Sequence, residues 1–547
     1  MSLLGDMKMY TRFAWGLRRY LRETLSLEQA RAIVRQRMAE REVNFLRLLK
    51  RGVFGHPRSP YRALLGLANC EMGDIQTMVR DRGLEGTLRA LREAGVYIAF
   101  EEFKGRTPIV RDGKVIPVQA RDFDNPYLSH YYQAESGGTT GAGTRVMTDL
   151  EHLAAQAPHR MLADEVHGLL DVPTAIWSGI LPDAGLNIIL GRARFGQVPQ
   201  KWFSPVTTQD LAPSLKYTLA TQYVIAMGRL SGAAIPSPEP VRLNQAVVVA
   251  RWVAEMLKTH GACAIRGYPS KALRVCIAAR EEGLDLRGAS FTGGGEPPTP
   301  AKVREITRAG ARWIPSYFIS EIGAVGLGCA LPVDGNDLHF LRDALGLIQY
   351  PRQVPGSVIT VDSFHFTTLL PTAPKLMLNV ETDDYGVFEK RSCGCPMERY
   401  GFAEHLRHIR SFQKLTGEGV TLIGSDMVRI LEEVLPARFG GSPLDYQLLE
   451  DEDDQGFTRL SLLVSPKIEI VDDGAVIETV LEALGRSSPS ANLARAIWRQ
   501  ARTLTVRRME PISTARGKLM PLHLAQRSER PADASAGSVS DRKAREE

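Results

Sequence analysis

Glu135-Ser136-Gly137-Gly138-Thr139-Thr140-Gly141-Ala142-Gly143-Thr144-Arg145 interleaves hydroxyl side chains with glycines. Glycine permits positive φ and close backbone approach, so successive N–H groups can curve into a nest for an anion. Ser136, Thr139, Thr140 and Thr144 add side-chain donors. The chemistry suits phosphate oxygens. No Gly-Lys-Ser/Thr follows, so the stretch is not a Walker A loop. Taken by itself it is either a phosphate-binding turn or a flexible Gly/Thr linker.

Downstream of it, helix and strand signals alternate. Residues 150–168, 211–230, 244–260 and 270–282 show helical spacing, whereas 175–177, 186–190 and 262–265 are short apolar runs that predict buried strands. Alternation of this kind argues for an α/β architecture with substantial parallel sheet. Upstream, residues 1–50 predict helix, with Leu21, Leu25, Leu27, Ala30, Ile33 and Met38 recurring at roughly helical spacing. Arg12, Arg18, Arg19 and Arg22 lie beside Phe13, Trp15, Leu17 and Tyr20. That mixture fits a basic membrane-surface helix or, as the favoured reading, a helix packed on its own domain. His56-Pro57-Arg58-Ser59-Pro60 breaks the pattern, and helical segments follow near 60–70 and 84–95. Residues 96–100 predict a strand, and Asp112-Gly113 between two apolar pairs predicts a hairpin.

With 547 residues, 44% hydrophobic and 24% charged, the chain can bury a large core and form more than one domain. A net charge of +6 over this length is no footprint for nucleic acid. Six cysteines are too few and too unevenly placed for a disulfide framework. No apolar run reaches the ~20 residues of a membrane span, and the start has no continuous apolar segment of a secretory signal. A cytoplasmic location without stable membrane insertion is the expectation, and a homodimer is left open. The tail from Arg527 is small, polar and charged, and is expected to be disordered.

Three further stretches carry chemistry. Ser290-Phe291-Thr292-Gly293-Gly294-Gly295-Glu296-Pro297 is a second glycine turn, followed by a helix start at Thr299-Pro300. Without Cβ atoms its backbone can lie flat against an aromatic ring. Tyr317-Phe318-Ile319-Ser320-Glu321 ends an apolar strand in a hydroxyl and a carboxylate. Beside a triphosphate, such a carboxylate would hold Mg²⁺. Cys329, His339, Cys393 and Cys395 are the ligand types of tetrahedral zinc. The alternative for these cysteines is simple burial, which also suits Cys70, Cys263 and Cys276.

In this order the glycine-hydroxyl stretch, Gly295-Glu296-Pro297 and Tyr317 to Glu321 resemble the core motifs of the adenylate-forming (AMP-binding) superfamily, and most of all its phenylacetate–CoA ligase branch. Thr382-Asp383-Asp384-Tyr385-Gly386 is similar to the segment whose aspartate binds the ribose, a role that falls on Asp384. Arg410 resembles the arginine before the interdomain hinge, and Pro511 to Lys518 the segment with the catalytic lysine. The resemblance implies a large N-terminal adenylation domain over 1–410, with mixed and parallel sheets layered with helices behind a helical lead-in over 1–95. A small mobile α+β domain over 411–526 and a tail over 527–547 would follow. It implies ATP-dependent activation of a carboxylic acid through an acyl-adenylate, then thioester formation. CoA is the first-choice acceptor; a carrier-protein thiol or a protein cysteine is the alternative, and a non-catalytic nucleotide-binding or membrane-associated scaffold the second. Ser136, Gly137, Gly138, Thr139, Thr140 and Gly141 would take the phosphates, with Gly295, Glu296, Pro297, Tyr317, Ser320, Asp384 and Arg410 around the nucleotide. Glu321 would hold Mg²⁺, and Lys518 would bridge the carboxylate and α-phosphate with Thr140 nearby. Some members of the family carry a zinc site of the Cys/His composition seen here, which assigns Cys329, His339, Cys393 and Cys395 to structural Zn²⁺.

Overall fold

The computed structural model describes residues 3–128, 131–135, 145–180, 183–206, 215–296, 298–353, 360–411, 414–417, 420–423, 429–441, 445–452, 458–469, 472–485, 495–496, 498–512 and 522–524. Near the start, β1 (Ile109–Arg111) and β2 (Lys114–Ile116) pair antiparallel, as the sequence predicts. Asp112 and Gly113 between them have φ of +48° and +74°, the left-handed pair that a tight hairpin turn requires. β3 (Tyr131–Glu135) and β4 (Arg145–Asp149) also pair antiparallel, with Glu135 opposite Arg145, so they bracket the glycine-hydroxyl stretch.

The centre is one twelve-stranded sheet. Its parallel half runs through β5 (Thr174–Trp177), β6 (Lys201–Ser204), β7 (Pro238–Pro240), β8 (Cys263–Arg266), β9 (Ala289–Gly293) and β10 (Arg312–Ile319), in the spatial order β10-β9-β8-β5-β6-β7. All four residues of β5 are buried, as parallel strands covered on both faces must be. The helices Leu150–Val166, Gly185–Ala193, Ala246–His260 and Pro269–Glu281 connect and cover these strands. Asp149 starts the first of them by accepting the backbone N–H groups of Glu151 and His152 at 2.8 and 3.2 Å. The other half is antiparallel: β11 (Gly323–Gly328), β12 (Leu338–Phe340), β13 (Leu345–Gln353), β14 (Thr360–Thr368), β15 (Val380–Lys390) and β16 (Glu404–Ser411) continue from β10 in the order β11-β12-β16-β15-β14-β13. Its core closes against the helices Pro60–Leu67 and Met72–Glu93.

Two predicted strands differ. Residues 186–190 lie in the helix Gly185–Ala193, which buries Leu186, Ile189, Leu190 and Ala193, an i, i+3, i+4, i+7 stripe. A five-residue apolar run is too short for periodicity to separate the two states, and packing decides. Residues 96–100 form a single bridge from Ile98 to Val380, and a helical turn, Phe100–Phe103, begins where the strand was expected to end.

β16 ends at Ser411. Beyond it, β17 (Lys414–Gly417) and β18 (Val420–Ile423) form a hairpin, and β19 (Tyr446–Glu452), β20 (Thr458–Val464), β21 (Leu504–Arg508) and β22 (Leu522–Leu524) form a separate sheet ordered β21-β20-β19-β22, with the helix Asp473–Gly485 against it. Gln500 ties this part to the large sheet, accepting from the Leu243 backbone at 3.3 Å and donating to the Pro205 carbonyl at 3.2 Å. The N-terminal helix Leu3–Arg22 packs on the body: Phe13, Leu17, Tyr20 and Leu21 are buried, and the Tyr20 hydroxyl donates to the Leu190 carbonyl at 2.8 Å. Trp15 is left outside, 81% exposed. Among the described residues, no helix is long and apolar enough to cross a membrane.

Candidate functional site

In open parallel sheets, ligands bind outside the carboxyl ends of the strands. Here the carboxyl end of β9 is the turn Gly293-Gly294-Gly295-Glu296. A Cβ on Gly293 would overlap the Gly267 carbonyl that follows β8, and one on Gly294 would overlap the Ser316 carbonyl of β10. Gly295 has φ +87°, and a Cβ there would lie 2.7 Å from the Tyr268 ring. The three glycines therefore let backbone wedge between two strand ends and an aromatic face. Glu296 turns inward: its side chain is 0% exposed, it accepts the Ser270 backbone N–H in the first turn of the helix Pro269–Glu281, and it stands 3.7 Å from the buried ammonium of Lys302. Lys302 belongs to the helix Pro300–Arg308, whose Thr299 cap and Pro300 start match the sequence reading.

On the neighbouring strand, the Tyr317 hydroxyl donates to Asp384 Oδ2 at 2.6 Å. β10 and β15 are not adjacent in the sheet, so this contact joins two motifs 67 positions apart. Burial, and then the Asp384 charge, push the Tyr317 phenol well above its ordinary value, so it remains a donor. Beside it the Ser411 hydroxyl donates to Asp383 at 2.6 Å, and Asp384 pairs with Ser411 across β15 and β16. Arg410 is opposite Tyr385 in the same register, one position from that pair. Ser320 is exposed just past β10.

Glu321 is buried and ion-paired with Lys104 Nζ at 2.5 Å. Lys104 follows the turn Phe100–Phe103, and its ammonium lies 5.5 and 5.7 Å from the Phe100 and Phe103 rings. Sequence reasoning missed Lys104. It lies 217 positions from its partner in a segment without any motif, and only tertiary packing joins the two.

The four zinc-type residues converge from the end of β11, from β12 and from the loop after β15, and their ligand atoms all lie within 4.8 Å of one another. Cys329 and Cys393 sulfurs are 3.6 Å apart, and Cys393 Sγ is 3.8 Å from His339 Nε2. Tetrahedral ligands at 2.3 Å from a zinc ion would be about 3.8 Å apart. His339 Nδ1 donates to the Phe402 carbonyl at 2.8 Å, which leaves Nε2 with its lone pair facing the sulfurs, the outer-shell arrangement usual for a metal-bound histidine. Backbone N–H groups of Ala330 and Cys395 point at the sulfurs of Cys395 and Cys393, at 3.4 and 3.3 Å. The cluster fits a closed four-ligand metal site.

Ser136, Gly137, Gly138, Thr139, Thr140, Gly141, Pro297 and Lys518 lie outside the described residues, as do the hinge neighbours 412–413 and the tail 527–547. Of the remaining predicted nucleotide residues, Tyr317 and Asp384 meet in a hydrogen bond, Arg410 is next to Ser411, the register partner of Asp384, Gly295 is against the Tyr268 ring in the turn after β9, and Glu321 lies just past the end of β10.

No protein-family model matches the sequence, and no curated protein is similar to it. A solved structure does share its fold. A 2-hydroxyisobutyryl-CoA ligase, in complex with 2-HIB-AMP and CoA in the thioesterification state, superposes with a TM-score of 0.54 at 16% identity, covering 92% of this chain and 91% of its own. An open conformation of that ligase gives 0.43 at 15% identity over 92% of this chain and 93% of the other. An amide bond synthetase from Marinactinospora thermotolerans gives 0.40 at 13%, over 87% and 92%. The first of these extends over nearly the whole of both chains, so the mixed twelve-stranded sheet and the smaller C-terminal sheet share the fold of that ligase.

Proposed function

We propose that this protein is an AMP-forming acid–CoA ligase: it activates a carboxylic acid as the acyl-adenylate and passes the acyl group to the thiol of CoA. The observation that carries the reading is the hydrogen bond from Tyr317 to Asp384 at the carboxyl edge of the sheet, in a chain with a CoA ligase fold. It orients a carboxylate of the type that accepts two ribose hydroxyls. Tyr317 offers its ring to the base, and the Gly293-Gly294-Gly295 backbone offers a flat wall. The phosphates fall to Ser136, Thr139, Thr140 and the backbone between β3 and β4. Lys518, on the small C-terminal unit that begins near residue 411, bridges the substrate carboxylate and the α-phosphate, where negative charge develops. Its withdrawal after the first step opens a way in for the thiol.

Glu321 fits Mg²⁺ as a buried oxygen ligand, and its present partner Lys104 is a cation held where positive charge is required. Mg²⁺ held by Glu321 would supply positive charge to the leaving pyrophosphate, and Lys104 positions the Glu321 carboxylate. Cys329, His339, Cys393 and Cys395 hold a structural zinc ion, since four protein ligands leave no position for water. Pyrophosphate release over a panel of carboxylic acids, with and without CoA, tests the reading; a panel that yields neither pyrophosphate nor AMP refutes it. Metal analysis of the purified protein should find zinc near one equivalent, and a well-folded, zinc-free sample removes that assignment.

A further inference from the structure

On the helix side of the β8 and β9 carboxyl ends lies a cluster of charges that the proposed chemistry does not use. Asp164 on the helix Leu150–Val166 is buried and accepts from Arg192 and, at 2.6 Å, from Arg266 Nη2. Arg266, the last residue of β8, also donates to Thr292 Oγ1 at 3.3 Å. Arg160, one turn before Asp164, extends over the exposed ring of Phe318, 5.4 Å from its centroid. A Cβ on Gly191 would overlap the Arg160 guanidinium, so the helix Gly185–Ala193 leaves it room. Two guanidinium groups thus pair with one carboxylate, and a third, that of Arg160, lies in the same charge cluster without pairing to it. The Nε atoms of Arg160 and Arg266 are buried and have no hydrogen-bond partner, and Arg160 makes no ion pair among the described residues. Burial above all, with the neighbouring Arg266 charge, holds the Arg160 pKa below its ordinary value.

Unpaired buried donors and surplus positive charge are costly unless an anion completes them. Along the chain the cluster adjoins the reaction-site motifs: Phe318 directly follows Tyr317, Thr292 precedes the Gly293 turn, and Arg266 precedes Gly267. We propose that the acid substrate is a dicarboxylate, its distal carboxylate held by Arg160 and Arg266 while Asp164 and Arg192 set the position of Arg266. Planar guanidinium forks match a carboxylate, and the open face of Phe318 suits the carbon chain between the two ends. This rests on the acid-activating reading above.

The test compares short dicarboxylates with monocarboxylates of equal chain length, by pyrophosphate release and by thermal shift without ATP, in the wild type, Arg160→Met and Arg160→Lys. The wild type should prefer dicarboxylates, and Arg160→Met should reduce that selectivity by roughly tenfold to a hundredfold, the loss expected for hydrogen bonds to a charged group. Arg160→Lys should retain part of it. Turnover of monocarboxylates alone, or a selectivity that Arg160→Met moves less than twofold, overturns the proposal and leaves the ligase reading intact. A raised KM for CoA with unmoved acid selectivity would assign the anion to a CoA phosphate and also overturn it. Dicarboxylate stabilisation that Arg160→Met abolishes, with no pyrophosphate from any acid, would keep the anion site and refute the ligase reading.

Discussion

Replacing Glu296 with alanine should be foremost a stability lesion, although the sequence places this residue in the nucleotide site. The carboxylate is 0% exposed and faces a Lys302 side chain that is 1% exposed, at 3.7 Å. Removing one partner of a buried pair leaves the other charge desolvated and costs roughly 3–5 kcal/mol. The same substitution strips the acceptor from the Ser270 N–H at the start of the helix Pro269–Glu281, an effect of roughly 0.5–2 kcal/mol that overlaps the first. The expected loss is therefore about 3–5 kcal/mol, a large part of a typical stability of roughly 5–15 kcal/mol. Urea unfolding followed by tryptophan fluorescence reads it, since Trp177 and Trp202 are buried in the adjoining parallel strands. Combining Glu296→Ala with Lys302→Met should recover much of the loss, because an apolar pair can replace a buried ion pair at little cost. A single variant within about 0.5 kcal/mol of the wild type, or a double variant no better than the single, would refute the reasoning.

Asp384→Asn keeps the shape but removes the charge that two ribose hydroxyls would meet; calorimetry with AMP should show affinity lower by roughly 1.5–3 kcal/mol, and a change under twofold removes Asp384 from that role. Lys518→Ala should retain AMP binding yet slow pyrophosphate exchange by roughly a hundredfold or more, and undiminished exchange excludes Lys518. His152 and His365 are each pushed down to about 3, mainly by burial, so they stay neutral in the fold. The unfolded chain takes up these protons below about pH 6.5, so the stability is complete above that pH and is lost as pH falls toward 3, each histidine contributing up to ~1.4 kcal/mol per unit. Urea midpoints that do not fall between pH 7 and pH 5 would contradict it.

Much of the fold was legible because its signals are local. The helix at 246–260 ends at Gly261 with φ +76°, and the hairpin at Asp112-Gly113 rests on two left-handed residues, as their chemistry demands. The segment 186–190 was misread because both a buried strand and a buried helix accept its five residues. The zinc-type ligands were legible as residue types, and their convergence from β11, β12 and the loop after β15 brings together positions that spacing could not. At the candidate site the motifs Gly293 to Glu296, Tyr317 and Asp384 were found, but not the contact between Tyr317 and Asp384, nor Lys104 on Glu321.

The chain by itself determined which chemistry it carries and in what order: glycines where backbone must pass close, hydroxyls and carboxylates beside them, apolar runs between. These follow from steric and hydrogen-bonding preferences that act within a few residues. Only the tertiary structure decided where each side chain is spent. Glu296 is committed to a helix start and a buried lysine, Lys104 is brought to Glu321, and two arginines pair with Asp164. Such pairings depend on which surfaces meet when distant segments pack, and a buried charge takes its meaning from the neighbours that packing supplies.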